Sequence, residues 1–249
     1  MPQMTGHGGR TETGEPKNPH RSPRGPANGL ARPSDSADYR PLICYLNAAV
    51  PMADPDSRPP SHHLLRTLAA VPVSSEILDL GCGHGRHTEA LLRLGFPVHA
   101  CDPRPSAVET TRTAIDDLLE QGDVETVVQV APLDAMDYPD ETFDWVVAVE
   151  AETYVSDEES LRALFEEGRR LLKPGGWLYV TLPAPENDET EGTETREEAD
   201  APARFSEEAL EAQRKAADLA EASAPTAVQE STTSRIRAIY RRVEPHTPV

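Results

Sequence analysis

Glu76-Ile77-Leu78-Asp79-Leu80-Gly81-Cys82-Gly83-His84-Gly85-Arg86-His87-Thr88, with its continuation to Asp102, decides how this 249-residue chain folds. Ile77 to Leu80 is a short apolar run that reads as a buried strand. It passes directly into Gly81, Gly83 and Gly85, and a helix is predicted from about Arg86 to Leu94, closed by Gly95. A second strand, Pro97 to Cys101, ends on Asp102. Glycines at alternate positions of a strand-to-helix turn permit φ > 0 and let a ligand approach with no Cβ in the way. The helix start behind them carries unpaired N–H groups suited to a polar or negatively charged ligand group. An acid ending the second strand is placed to accept hydrogen bonds from a ribose diol, as in nucleotide-binding βαβ units. Asp79 two residues before the glycines, and Asp102 21 residues after Gly81, make the combination more specific than a lone Gly-x-Gly pair.

The spacing also discriminates among nucleotides. The dinucleotide fingerprint needs a third glycine where Arg86 stands, which disfavours a nicotinamide-dependent oxidoreductase of the same architecture. No Gly-Lys-Ser/Thr occurs, so a phosphate-cradling P-loop is excluded. Asp79-x-Gly81-x-Gly83-x-Gly85 instead resembles the first motif of the class I S-adenosylmethionine-dependent methyltransferases. It is most similar to their small-molecule branch, the type 11 and type 25 methyltransferase domains, over roughly residues 60–182 and more loosely the last forty residues. Phe143-Asp144-Trp145-Val146-Val147 is similar to that family's fourth strand. Leu171-Leu172-Lys173-Pro174-Gly175-Gly176 is similar to its turn into the fifth.

The resemblance implies an α/β class: a Rossmann-like, doubly wound, mostly parallel seven-stranded sheet. It implies S-adenosylmethionine as cofactor, with the turn Asp79, Gly81, Cys82, Gly83 and Gly85 around the methionine portion. Asp102, followed by Pro103, would take the ribose. Leu133 would pack on the adenine and Asp134 accept from its amino group, with Ala135 beside them; read from turn propensity alone, Asp134 is simply a turn residue. Glu150, Glu152 and Tyr154, beyond the fourth strand, are candidates for contacting substrate or the methionine end. Relatives carry an apolar or small residue in place of Glu150 and a His in place of Thr153, so no familiar general base is carried over and the catalytic residue is unassigned.

Composition bounds the rest. The formal charge of −19 is uneven: residues 1–40 hold six Lys/Arg against four Asp/Glu, leaving −21 on residues 41–249. Such a surface argues against nucleic acid and anionic membranes, whose binding is driven by basic residues. No apolar run approaches the ~20 residues of a membrane span, and the N-terminus lacks the apolar core of a secretory signal. Three cysteines without framework spacing fit a reducing cytoplasm. Cys82, His84, His87, His99 and Cys101 match no usual zinc spacing, so no metal is expected.

In chain order, residues 1–38 are expected to be a disordered tail and 39–60 a lid or linker. The methyltransferase-like domain follows over 61–249. Ser61 should cap a helix from His62 to Val71 that buries Leu64, Leu65, Leu68 and Val71. Capping boxes are expected at Ser106 and Ser156, opening helices that end near Gly122 and Lys173. Strands are expected at Val124–Val130, Phe143–Val149 and Trp177–Leu182. Residues 183–204 read as a solvated acidic loop, Ser206–Ala222 as a helix, and Ala227–Gln229 and Ile236–Val243 as two closing strands, which the resemblance makes the sixth and the antiparallel seventh. Arg86 and His87 are left between the methionine carboxylate and solvent. Three functions stand: a methyltransferase acting on a small molecule, a non-catalytic protein of the same fold, and, disfavoured, the oxidoreductase. Acceptor identity and oligomeric state are not legible.

Overall fold

Strand β1 (Ile77–Leu80) lies at the centre of the sheet: three of its four residues are large and apolar, and all four are buried. The computed structural model describes residues 58–119, 124–133, 135–185, 203–230 and 233–244, all within the unit that runs from Arg40 to Val249. The tail, most of the lid, Gly122, Asp134 and most of the acidic insert lie outside them.

The elements follow in order: α1 (His62–Leu68), β1, α2 (Arg86–Arg93), β2 (Val98–Asp102), α3 (Pro105–Ile115), the single turn α4 (Val124–Val127), β3 (Val128–Val130), β4 (Phe143–Val149), α5 (Glu158–Leu171), β5 (Leu172–Pro183), α6 (Glu207–Ala216), β6 (Leu219–Glu230) and β7 (Thr233–Arg242). The seven strands lie in the order β3-β2-β1-β4-β5-β7-β6. β7 is antiparallel to both neighbours and the remaining pairs are parallel. Alternation along each strand sends side chains to two cores. Ile77, Val147 and Tyr179 join Leu64, Leu68 and Leu91 on the α1/α2 face. Leu78, Val146 and Val180 join Leu161, Leu164 and Phe165 beneath α5. The chain leaves the centre through β2 and β3 and returns to it at β4, so the strand order reverses between β1 and β4. Open α/β sheets bind ligands at the carboxyl ends flanking such a reversal.

Several boundaries differ from the expected ones. α1 ends at Leu68, leaving Val71 half-buried beyond it. α3 is capped by Arg104, with Pro105 in its first turn, because Asp102 Oδ1 fixes the Arg104 N–H at 3.0 Å; Ser106 lies inside the helix and makes no capping box. The third strand keeps only Val128–Val130, since it is an edge strand paired with just three residues of β2 and its first half coils into α4. At α5 the box is Asp157 and Ser160, one residue beyond Ser156: Asp157 Oδ1 accepts from Ser160 N at 2.8 Å and Ser160 Oγ from Asp157 N at 3.0 Å.

α5 stops at Leu171, not Lys173. Lys173 instead pins the strand entry through Glu76 (2.8 Å) and Asp144 (3.0 Å). β5 starts five residues before Trp177. Phe143 and Trp145 pair with Leu172 and Trp177, so Lys173-Pro174-Gly175-Gly176 bulges out of the ladder. The helix expected over Ser206–Ala222 ends at Ala216, with Ser206 as its cap. Pairing with β7 from Leu219 onward captures residues that intrinsically favour helix. Pro183 and Ala184 are buried with the sheet rather than in a solvated loop. Among the described residues no helix is long and apolar enough to cross a membrane.

Candidate active site

The glycine turn between β1 and α2 forms one half of the crevice. Gly83 (φ +57°) and Gly85 (φ +85°) both occupy the left-handed region, but for different reasons. A Cβ on Gly85 would lie 2.9 Å from Thr111 Cγ2, so this glycine lets α2 and α3 meet. A Cβ on Gly83 would meet only the tip of Arg104, at 3.9 Å, on an otherwise open side. That cradle is the backbone a ligand can reach.

Asp102 is fully buried and organises the turn. Its Oδ2 accepts the Gly83 N–H at 3.1 Å and its Oδ1 the Arg104 N–H at 3.0 Å. The Arg104 side chain adds Nε at 2.9 Å to Oδ1 and Nη2 at 3.2 Å to Oδ2. Asp79 supports the turn from beneath. It is 1% exposed, and its Oδ2 accepts from Thr88 Oγ1 at 2.6 Å in the first turn of α2. Burial lifts the Asp79 carboxyl to about 6, against the opposing pull of the Thr88 hydrogen bond and the Arg86 charge. The Cys82 side chain is buried against Ala100 and Val108, 3.7 Å from Thr111 Oγ1, so only its backbone belongs to the turn. Pro103 is half-buried beside Asp102. Leu133 is buried and Ala135 exposed, the latter donating its N–H to the Pro132 carbonyl at 3.1 Å.

The other half is a rim of ion pairs at the carboxyl end of β4. Glu150 takes φ +55°, ψ +51°, a conformation that costs a non-glycine residue about 1 kcal/mol, and its N–H donates to Thr181 Oγ1 at 2.9 Å. Its carboxylate faces Arg86 at 2.6 Å, Arg58 at 3.1 Å and Arg235 at 3.7 Å. Glu152 lies 2.6 Å from Arg235. Burial alone would raise the Glu150 carboxyl, but Arg86, then Arg235 and Arg58, outweigh it and hold the group below the usual carboxylate range. Such an anion is a poor proton acceptor near neutral pH.

Tyr154 does not face the crevice. Its hydroxyl donates to the Ala131 carbonyl at 2.6 Å, and burial, then the neighbouring Cys101, keeps the phenol protonated. This removes it from the substrate-contacting candidates: it ties the turn after β4 to the exit of β3. His87 is likewise neither solvated nor a ligand contact. It is 3% exposed, and its Nε2 accepts the Ser61 N–H at 3.1 Å. Burial, then Arg86 and Arg58, push its pKa well down, so it is neutral. Arg86 Nη1 donates to the Pro59 carbonyl at 3.4 Å, which completes a strap holding residues 58–61 against α2.

Three residues of the site were not anticipated: Arg58, Arg104 and Arg235. Arg235 is 5% exposed in β7, one residue before the strand expected from Ile236. Only the pairing of β7 against β5 brings it to Glu150 and Glu152.

Residues 77–176 match the family model described as "Methyltransferase domain". The mitochondrial ubiquinone biosynthesis O-methyltransferase of Homo sapiens is 35% identical over 108 residues, which cover 43% of this chain and 28% of that protein. The ubiquinone biosynthesis O-methyltransferase of Xanthomonas campestris is 35% identical over 107 residues, covering 43% and 42%. The chain thus spans less than half the length of the curated relatives it matches. Among solved structures, a SAM-dependent methyltransferase of Methanosarcina mazei superposes with a TM-score of 0.58 at 19% identity, covering 74% of this chain and 99% of that one. The geranyl diphosphate C-methyltransferase of Streptomyces coelicolor gives 0.55 at 16% identity, covering 73% and 76%. These two likenesses establish the fold.

Proposed function

We propose that residues 77–176, which match a methyltransferase domain, form the core of a class I S-adenosylmethionine-dependent methyltransferase that moves the sulfonium methyl of S-adenosylmethionine to a small-molecule acceptor. The open cradle at Gly83, with Asp102 gripping its N–H, is the observation that carries this reading.

The residues fit the cofactor. Gly83 has no side chain where a ligand would lie, and the backbone of Gly81 to Gly85 would hold the methionine portion. Asp102 would hold the ribose, its carboxylate exchanging the half-exposed Arg104 guanidinium for the diol. Leu133 would pack on the adenine, with Asp134 and Ala135 alongside. Asp79, through Thr88, acts as a positioning residue for the turn.

Bound S-adenosylmethionine supplies an already activated methyl group, open to in-line displacement. The protein's task is then orientation and exclusion of water rather than activation. Glu150, ionised and neutralised by arginine, orients the rim. A protonated acceptor would have to lose its proton to another group, because Glu150 is held too acidic to take it.

Titration calorimetry tests the cofactor directly. S-adenosylmethionine and S-adenosylhomocysteine should bind and NAD(P)H should not. Turnover of a labelled methyl over a metabolite panel then separates an enzyme from a non-catalytic binder. Failure of both sulfur nucleotides to bind would end the reading.

A further inference from the structure

We propose that the arginine cluster centred on Arg235 is the acceptor subsite and that it recognises a carboxylate on the methyl acceptor. The inference rests on the methyltransferase reading, since it assigns the cluster to that reaction's second substrate.

Three observations lead to it. Arg235 is a buried cation whose charge is incompletely used. Nη1 pairs with Glu152 Oε1 at 2.6 Å, yet Nε has no hydrogen-bond acceptor, and Glu152 Oε2 has no partner either. Buried charges cost several kcal/mol unless paired and hydrogen-bonded, and a well-packed apolar side chain is commonly the more stable choice. An arginine left half-satisfied is therefore poorly explained by stability. The second observation is place. Arg235 meets Glu150 and Glu152 at the carboxyl end of β4, beside the strand-order reversal, and Arg86 joins it from the helix that follows the glycine turn. Arg237, two residues on and so on the same face of β7, also has a buried Nε without an acceptor.

The third is charge. Arg58, Arg86 and Arg235 stand against Glu150 and Glu152, and with Arg237 nearby the cluster keeps a positive surplus in a chain whose net charge is −19. The planar guanidinium fork of Arg235 matches the planar geometry of a carboxylate. The low dielectric of the crevice strengthens that pairing, while the acidic surface elsewhere repels the same ligand.

Full-length protein saturated with S-adenosylhomocysteine would be titrated at constant ionic strength with acetate, butyrate and benzoate, and separately with inorganic phosphate. The readouts are calorimetry and the Nε–Hε resonance of Arg235. Saturable carboxylate binding is expected to shift that resonance, to weaken about tenfold or more in Arg235→Gln, to persist in Arg235→Lys and to fall less in the exposed Arg58→Gln. S-adenosylhomocysteine affinity should be unchanged throughout. Absence of carboxylate binding to the wild type, or tighter binding of phosphate, overturns the proposal. So does an Arg235→Gln variant that loses S-adenosylhomocysteine but keeps the carboxylates, which would place the cluster on the cofactor's own carboxylate. If Arg235→Gln does not fold, the Arg58→Gln variant and the wild-type resonance decide. A wild type that binds carboxylates but not S-adenosylhomocysteine overturns the methyltransferase reading, and the acceptor role with it.

Discussion

The two halves of the crevice are built in opposite ways. The glycine turn is a local structure: Gly81 to Gly85 and Asp102 lie within one βαβ unit, and its geometry is set by backbone hydrogen bonds, by the Asp102 carboxylate and by the glycines' lack of side chains. The rim is a non-local one. Arg58, Arg86, Glu150, Glu152 and Arg235 come from four segments, and charge holds them together. Breaking the first should therefore affect one ligand strongly, whereas breaking the second should spread smaller effects over stability and acceptor recognition.

The largest expected effect is in the local half. Asp102→Ala removes the carboxylate that grips Gly83 N–H and would accept the ribose diol. S-adenosylhomocysteine binding should weaken about 100-fold by calorimetry, from two charge-assisted hydrogen bonds. The two glycines then separate packing from binding. Gly85→Ala forces a Cβ to within 2.9 Å of Thr111 and should cost about 2–3 kcal/mol in urea unfolding. Gly83→Ala meets open space, so it should cost about 1 kcal/mol and act mainly on cofactor affinity. Equal destabilisation by the two would erase the distinction drawn between them.

In the rim, Glu150→Gln leaves Arg86 and Arg235 short of a counter-charge at nearly unchanged shape. A loss of about 2 kcal/mol is expected, softened because Glu152 still faces Arg235. Full wild-type stability would mean that the arginines rearrange freely.

The smallest effect is a pH dependence within the local half. The folded-state pKa of Asp79 is raised to about 6 above its ordinary 3.8, so between these values the native state holds the proton more tightly than the unfolded chain does. Its contribution is thus present at low pH and lost as pH rises through about 6. Asp79→Asn should gain about 1 kcal/mol relative to wild type between pH 5 and pH 7.5, measured by denaturant unfolding at each pH. His87, buried neutral, works in the other direction: wild-type stability should fall as pH drops below about 6.5. That limb should be shared by the Asp79→Asn variant.

The amino-acid sequence by itself determined the centre of this protein. Ile77–Leu80 and Phe143–Val149 appear as strands at the expected residues, since buried parallel strands are continuous apolar runs; the turn from the first of them into α2 is legible because its positive φ angles fall on glycines. Legibility fades where long-range pairing competes with local propensity. β7 drew Leu219 to Ala222 out of a helix, and the weakly paired edge gave up half of β3 to a helical turn. It fades furthest in side chains whose partners are distant in sequence. Tyr154 reads as a candidate for substrate contact and is instead bonded to Ala131. Arg235 carries no signal in the sequence that separates it from the other arginines of the last strand, and it is buried against two carboxylates. Backbone constraints act over a few residues and leave a mark in composition. Ion pairing acts through space, so the rim exists only once the sheet has brought residues 58, 86, 150, 152 and 235 together.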